Sequence, residues 1–382
     1  MRIAYCINSI CGLGGIQRCI VAKANALAAV QGNQVWIITS DDTGNKLFRV
    51  SESVYHIDLG INYYEDDWKS ILHVVKGVLI KRRRHEKALA KTLKGINPDI
   101  VISVGQSEKN FVPAIKGDWV IIREYHFSRN YRFLAARGFF EKAFALGGEI
   151  LERFTLNKYD VVVTQTQEDL MLNWRNHKHT VVIPNPLTIN ASEVSPLENK
   201  RIISIGRLDY QKNYSSLLRA FSLVVEKHPD WRLDIFGEGS ECSRLSSEIE
   251  RLGLSGKANL KGVTLDSGKE LHDSSMLVMS SRFEGMPLAI LEAISCGLPV
   301  VSYASPCGPK DIITEGKDGF LVPVGDETAL ADRICRLIED AGLRKRMGAA
   351  AYERSKDFSI ERITSLWMDL FQDLLKLKRE GV

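Results

Sequence analysis

Along the first half of the chain, short apolar runs rich in β-branched residues alternate with stretches of helical period. RIAYCINSI, QVWIIT, DIVISV, WVIIRE, DVVVTQ and TVVIPN are nearly continuous in apolar character, as strands buried on both faces are, and a helix is predicted from about Ile16 to Val30. The segment IPNPLTINASEVSPLENK breaks the pattern with Pro, Asn and Ser and reads as a linker. The alternation then restarts, with predicted strands in RIISIG, RLDIFG, ANLKGV, SMLVMS, PVVSYA and GFLVPV and helices at Tyr214 to Lys227 and Leu330 to Glu339. One long amphipathic helix, Ile360 to Lys378, follows at the end. This succession predicts an α/β fold of two doubly wound parallel sheets facing a central cleft. The first domain takes residues 1–190 and the second 191–365, with a helix over 366–382 packing back on the first. Ligands of such sheets sit outside the carboxyl ends of the strands.

Composition narrows the class. At 382 residues, 45% hydrophobic and 26% charged, the chain can build two cores and reads as a soluble globular protein rather than a disordered one. No apolar run is long enough to span a bilayer and no leader with a small-residue cleavage site follows Met1, so neither spanning nor secretion is expected. The seven cysteines are odd in number and form no C-x-x-C pair, which favours reduced thiols and a cytoplasmic location over disulfides or zinc. The net charge of +4 is unevenly spread: 25 Lys and Arg stand against 18 Asp and Glu up to residue 190, and 26 against 29 beyond it. Much of the excess lies at Lys76, Lys81, Arg82, Arg83, Arg84, Lys87, Lys91 and Lys94. Such a run is either a solvated helix face or a surface for anionic lipid or a phosphorylated acceptor. No nucleic-acid partner is expected.

Three local patterns carry chemistry. INSICGLGGIQRC places Gly12, Gly14 and Gly15 between the first strand and the first helix, where main-chain N–H groups can approach an anion. Asp41 and Asp42 after the next strand leave a dinucleotide fingerprint open, although Gln17 stands where its third glycine belongs. SIGRLDYQKN sets Arg207 and Lys212 at the end of a strand, either ordinary surface cations or a clamp for a departing diphosphate. FGEGSE, with Gly237 and Gly239, either passes close to a ligand or turns the chain. In SRFEGMPLAILEAISCGLPVV, Pro287 suits a first helical position. Glu284 then lies just outside the helix, and Glu292 within an apolar segment where an unpaired carboxylate is costly.

Taken together, Gly14 and Gly15, the R-x-x-x-x-K of Arg207 and Lys212, and the E-x-x-x-x-x-x-x-E of Glu284 and Glu292 resemble the retaining family 4 glycosyltransferases of the GT-B fold, two Rossmann-like domains around a cleft. The resemblance spans the chain and is densest from about Arg201 to Val324. It implies that Glu284 contacts the hydroxyls of the donor sugar and Glu292 the ribose diol, whereas by its apolar surroundings alone Glu292 is also readable as a structural carboxylate satisfied by backbone or a cation. Pro287 to Glu292 covers about 7.5 Å of helix, a suitable reach between pyrophosphate and ribose. N–H groups near Gly285 and Met286 would face the diphosphate, and Gly308 in SPCGPKDII would be a phosphate-side glycine with Asp311 in the family's acidic place. That variant resembles members acting on lipid-linked oligosaccharides or surface polysaccharides. A histidine after the strand VIIRE is implied to bond the donor sugar or its phosphate, which falls to His126. Read by itself, a lone histidine is as readily a plain polar residue.

The sequence has no Asp-x-Asp, and RNHKHT, with His177 and His179, reads as loop. No metal or other cofactor is therefore expected, and Arg207, Lys212 and the main chain at Gly14 and Gly15 would stabilise the departing nucleoside diphosphate. The expected partners are a nucleotide-sugar donor, a UDP-sugar by family frequency with GDP left open, and a glycan or lipid-linked glycan acceptor. An anionic membrane surface is a further candidate. Trp68, Ile71, Leu72, Val75, Val78 and Leu79 form an apolar stripe leading into KRRRHEK, and Arg129, Arg132, Arg137, Phe139 and Phe140 add a second basic and apolar stretch. Core packing of the stripe is the competing account. Two rival functions fit parts of the pattern: a sugar-nucleotide epimerase, and a binding protein that keeps the clamp without turnover.

Overall fold

The computed structural model describes all residues except 13, 45–46, 64–70, 137, 176, 178, 190–192 and 381–382, and the main chain alone at 71–78, 144, 150 and 151. Seven parallel strands make the first sheet: β1 (Arg2–Ile7), β2 (Gln34–Thr39), β3 (Val54–Asp58), β4 (Ile100–Ser103), β5 (Val120–Glu124), β6 (Val161–Thr164) and β7 (Thr180–Val182). Their spatial order is β3-β2-β1-β4-β5-β6-β7, so the winding reverses between β1 and β4. The helices of this half are α1 (Gly15–Ala29), α2 (Ile71–Ile96), α3 (Tyr131–Ala135), α4 (Phe139–Leu156) and α5 (Gln167–Asn173). The sequence pattern does not predict β3. It is an edge strand whose Tyr55 is exposed and whose His56 and Asp58 are polar, so it lacks the apolar run of its neighbours.

The second sheet holds β8 (Arg201–Ile205), β9 (Arg232–Phe236), β10 (Ala258–Leu260), β11 (Met276–Met279), β12 (Val300–Tyr303) and β13 (Gly319–Val322) in the order β10-β9-β8-β11-β12-β13, again all parallel. Here the winding reverses between β8 and β11. Its helices are α6 (Tyr214–Lys227), α7 (Cys242–Arg251), α8 (Ser267–His272), α9 (Leu288–Ser295), α10 (Pro309–Ile312), α11 (Glu327–Glu339) and α12 (Ala341–Ser355), and α13 (Ile360–Glu380) follows them. Both reversals are places where consecutive loops part and leave a crevice at the carboxyl ends of the strands.

Side chains pack into the second core from Leu187 and Ile189 onward. The chain returns at the other end: Ile363, Trp367 and Phe371 of α13 are buried with Ile3, Tyr5 and Ile20 in the first core. Leu187 N–H donates to Phe358 O at 2.8 Å, so the outgoing and returning segments run side by side.

Main chains of the two halves also meet at the cleft. Phe127 forms an isolated antiparallel bridge with Gly285. A Cβ on Gly285 would lie 2.5 Å from His126 O, and one on Gly308 would lie 2.4 Å from Gly285 O, so three strands of backbone stack with nothing between them. Only glycine permits that spacing, and Gly308 also adopts φ +109°.

Candidate active site between the two sheets

At the second crevice the loop after β8 carries Arg207 and Lys212, and the loop after β11 carries Glu284. The first loop is pinned from several sides. Asn213 takes a left-handed φ of 52° just before α6, Ser280 Oγ donates to Lys212 O at 2.9 Å, and Arg282 N–H donates to Gln211 O at 2.8 Å. So held, Lys212 Nζ reaches Glu284 Oε1 at 2.8 Å, and both side chains are largely buried. Gln211 Nε2 donates to Phe283 O at 3.0 Å and to Glu284 Oε2 at 3.4 Å. Arg207 joins through Gln211, at 3.3 Å from its Oε1, and pairs with Asp209 at 3.1 Å while 69% of its side chain stays exposed. An exposed cation and a buried one beside it can together neutralise a diphosphate.

Glu292 lies on α9 among Ile290, Leu291, Ala293 and Ile294, all buried. Its carboxylate is 3% exposed, and its Oε1 accepts from Thr188 Oγ1 at 3.2 Å and from Arg18 of α1, whose guanidinium also lies 5.3 Å from the Phe48 ring. Arg18 belongs to the first domain, so this ion pair ties the two halves together. The glycine loop sits against the same helix: a Cβ on Gly15 would be 3.1 Å from Leu288 Cδ1. Gly14 stands just before α1, within reach of the Gln17 side chain.

The structure therefore joins Lys212 with Glu284 directly and Arg207 through Gln211, while Glu292 is held separately by Arg18 and Thr188. Pro287 precedes α9 with extended φ and ψ of −71° and 111°, one position earlier than expected, and its Cδ would lie 2.6 Å from a Cβ on Gly308. Met286 is buried, and its Sδ accepts from Asn185 N–H at 3.1 Å. Gly237 lies against Gly206 O, 1.9 Å from where a Cβ would stand, and so backs the loop that bears Arg207. The Asp311 carboxylate accepts from Gln167 N–H at 2.6 Å and Glu168 N–H at 3.3 Å, capping α5 of the other domain.

In the first crevice, β5 ends in Arg123 and Glu124, both buried. Glu124 Oε1 bonds Lys23 of α1 and lies 3.0 Å from His126 Nε2, while His126 Nδ1 is 2.7 Å from Gln165 Nε2. Nδ1 is thus held by Gln165, while Nε2 is buried, close to Glu124, and has no hydrogen-bond partner among the described residues. Burial pushes the His126 imidazole down and keeps it neutral, even against the pull of Glu124. For Glu124 burial works upward, but Lys23 and His126 outweigh it and hold the carboxyl down to about 2. The Lys23 ammonium also lies over the rings of Trp367 and Tyr5, at 4.9 and 5.8 Å.

Arg18, Thr188, Gln211 and Lys23 were not singled out from the sequence. The signal available was two cations, Arg18 and Lys23, inside the otherwise apolar helix IQRCIVAKANAL. Trp68 and Arg137 lie outside the described residues, as do the side chains of Ile71, Leu72, Val75 and Val78. Among the described residues no group of three or more His, Cys, Asp or Glu side chains is arranged to hold a metal ion.

Residues 187–354 match the family described as Glycosyl transferases group 1. The chain is 28% identical over 376 residues to an uncharacterized glycosyltransferase of Haemophilus influenzae, covering 96% of this chain and 98% of that one. It is 26% identical over 385 residues to a Campylobacter jejuni enzyme, GalNAc-alpha-(1->4)-GalNAc-alpha-(1->3)-diNAcBac-PP-undecaprenol alpha-1,4-N-acetyl-D-galactosaminyltransferase, covering 98% and 99%. With an exopolysaccharide phosphotransferase of Streptomyces coelicolor it shares 37% identity over 194 residues, 50% of this chain and 21% of the relative. Sucrose-phosphate synthase of Thermosynechococcus elongatus superposes with a TM-score of 0.81 at 18% identity over 98% of this chain and 99% of that one. S. aureus TarM, in a complex that contains UDP, superposes with a TM-score of 0.76 at 17% identity over 97% and 99%. Residues 187–354 thus match the group 1 glycosyltransferase family, and over nearly its whole length the chain has the GT-B fold.

Proposed function

We propose that the chain is a retaining glycosyltransferase that moves a sugar from a UDP-sugar to a glycan or lipid-linked glycan, in surface polysaccharide assembly and without a metal ion. The observation that carries this reading is the Lys212–Glu284 pair, with Arg207 beside it, at the switch point of the second sheet. Support for uridine comes from the UDP held by S. aureus TarM, and for a lipid-linked acceptor from the undecaprenol-linked substrate in the name of the C. jejuni relative.

In this reading Lys212 and Arg207 neutralise the diphosphate, Glu284 receives hydroxyls of the donor sugar as Lys212 turns to phosphate, and Glu292 receives the ribose diol. N–H groups at Gly14, Gly15, Gly285 and Met286 face the same anion, with Gly308 behind them. The bond from the anomeric carbon to phosphate oxygen breaks with its electrons on the diphosphate. The acceptor oxygen bonds the oxocarbenium-like carbon on that same face, and its proton passes to the donor phosphate. The test is a panel of UDP- and GDP-sugars scored for nucleoside diphosphate release with and without glycan acceptors, followed by NMR of the product anomer. Release with a chelator present and an unchanged anomeric configuration support the reading; release that Glu284→Ala leaves at the wild-type rate contradicts it.

A peripheral seat on the cytoplasmic face of an anionic membrane has separate support. Leu79 and Ile80 are exposed on α2 beside Arg82, Arg83, Arg84, Lys87 and Lys91, and Phe139 and Phe140 at the start of α4 are 82% and 86% exposed. No helix among the described residues is long and apolar enough to cross a membrane. Sedimentation with acidic liposomes at low salt tests this seat, and protein that stays in the supernatant contradicts it.

A further inference from the structure

Where the first sheet reverses between β1 and β4, the parted loops enclose a cavity of about 140 Å³. Asn8, Gln17, Gln106, Glu124, His126 and Tyr131 are among its walls. Its volume is below the roughly 300 Å³ at which pockets for drug-sized ligands begin, so it suits one sugar ring or a hydroxymethyl arm and not a nucleotide. Glu124 is 2% exposed; its Oε1 bonds Lys23 and lies 3.0 Å from His126 Nε2. Its Oε2 is buried and has no hydrogen-bond partner among the described residues. A buried carboxylate oxygen without a donor is costly, and beside a cavity of this size the donor that suits it is one brought by a ligand. The cavity adjoins the reaction zone, because its wall at His126 and Phe127 is the backbone that presses on Gly285, next to Glu284.

We propose that Glu124 binds a sugar hydroxyl of the reacting pair through Oε2, in the cavity at the carboxyl end of β5. This rests on the transferase reading above and adds to it a binding residue in the first domain. The carboxylate orients that hydroxyl and does not deprotonate it. Lys23 and His126 keep Glu124 ionised far below neutral pH, so it accepts a hydrogen bond and holds no useful basicity. The hydroxyl's proton is therefore left for the donor phosphate. The shared chemistry, a hydroxyl donor on a pyranose, comes either from the acceptor or from the transferred sugar.

Kinetics of the full chain separate the sources. Glu124→Asp keeps the charge against Lys23 and withdraws the carboxylate by one methylene. Glu124→Gln with Lys23→Met removes the ion pair as a unit, so no ammonium is stranded if the first variant folds poorly. The probes are the nucleotide sugar that wild-type protein turns over best and methyl α-glycosides of glucose, galactose, N-acetylglucosamine and N-acetylgalactosamine. Loss of one such hydrogen bond is expected to raise a KM by about tenfold or more. A higher KM for the methyl glycoside, with donor hydrolysis in its absence unchanged, assigns the hydroxyl to the acceptor. A higher donor KM in that hydrolysis assigns it to the donor sugar. Variants whose KM values both stay within about twofold of wild type overturn the role of Glu124 alone, whereas wild-type protein that releases no nucleoside diphosphate from any donor defeats the transferase reading as well.

Discussion

Buried ionisable side chains in this protein are mostly matched, and the exceptions decide how it responds to pH. His85 is 3% exposed, touches Tyr63 through Nδ1 at 3.2 Å and packs edge-on to Phe111. Burial pulls its imidazole from about 6.5 down to about 4. As pH falls, the unfolded chain takes this proton first, so stability is full above pH 6.5 and declines between 6.5 and 4. The ceiling on that loss is about 3 kcal/mol. Urea unfolding at pH 7 and pH 4.5 is expected to show the decline in wild type and a smaller one in His85→Leu; parallel declines refute the assignment. Glu292 is the reverse case, a carboxylate matched by Arg18. Removing the guanidinium in Arg18→Met strands a buried charge, a change that costs about 3–5 kcal/mol. A double-mutant cycle with Glu292→Gln is expected to recover much of it.

Legibility at this scale followed sequence distance. Glu292 announced itself as a lone carboxylate in LAILEAIS, and the spacing of Arg207 to Lys212 was plain because one loop carries both. Its partner Arg18 lies 274 positions away in the other domain, and no local pattern specifies such a pairing. His126 could be found but not oriented, since its ring direction depends on Glu124 and Gln165 together.

Among elements, the interior strands were legible because burial on both faces leaves continuous apolar runs, whereas the edge strand β3 was not. The last helix shows what an amphipathic pattern can and cannot say. Its period predicts α13 and its return to the first domain, and the fold adds which side chains, Trp367 and Phe371, enter that core. Deleting residues 360–382 uncovers that core and the Lys23 ammonium that Trp367 covers. The expected outcome is aggregation, or a thermal midpoint lowered by well over 10 °C, with the loss confined to the first domain; hydrogen exchange that accelerates equally in both domains contradicts this. Asp311 works at the same scale as the cap of α5. Asp311→Ala is expected to cost about 1 kcal/mol and to speed amide exchange at Gln167 and Glu168.

For the molecule as a whole, two switch points face each other across a seam of bare backbone. Gly285 lets the loops of both domains come within van der Waals distance, with Gly308 packed behind it, next to the Glu284 that Lys212 bonds. Gly285→Ala would set a methyl 2.5 Å from His126 O, so the domains must part or the loop must shift. A larger radius of gyration by solution scattering, with activity lost and each domain still folded, is the expected outcome. The central claim is that a cationic clamp between two folded domains makes a nucleoside diphosphate leave. Its most direct test is the rate of nucleoside diphosphate release by Lys212→Ala, with donor saturating and acceptor present. The account predicts a fall of about a hundredfold or more in a protein that still melts cooperatively; release at the wild-type rate would contradict it.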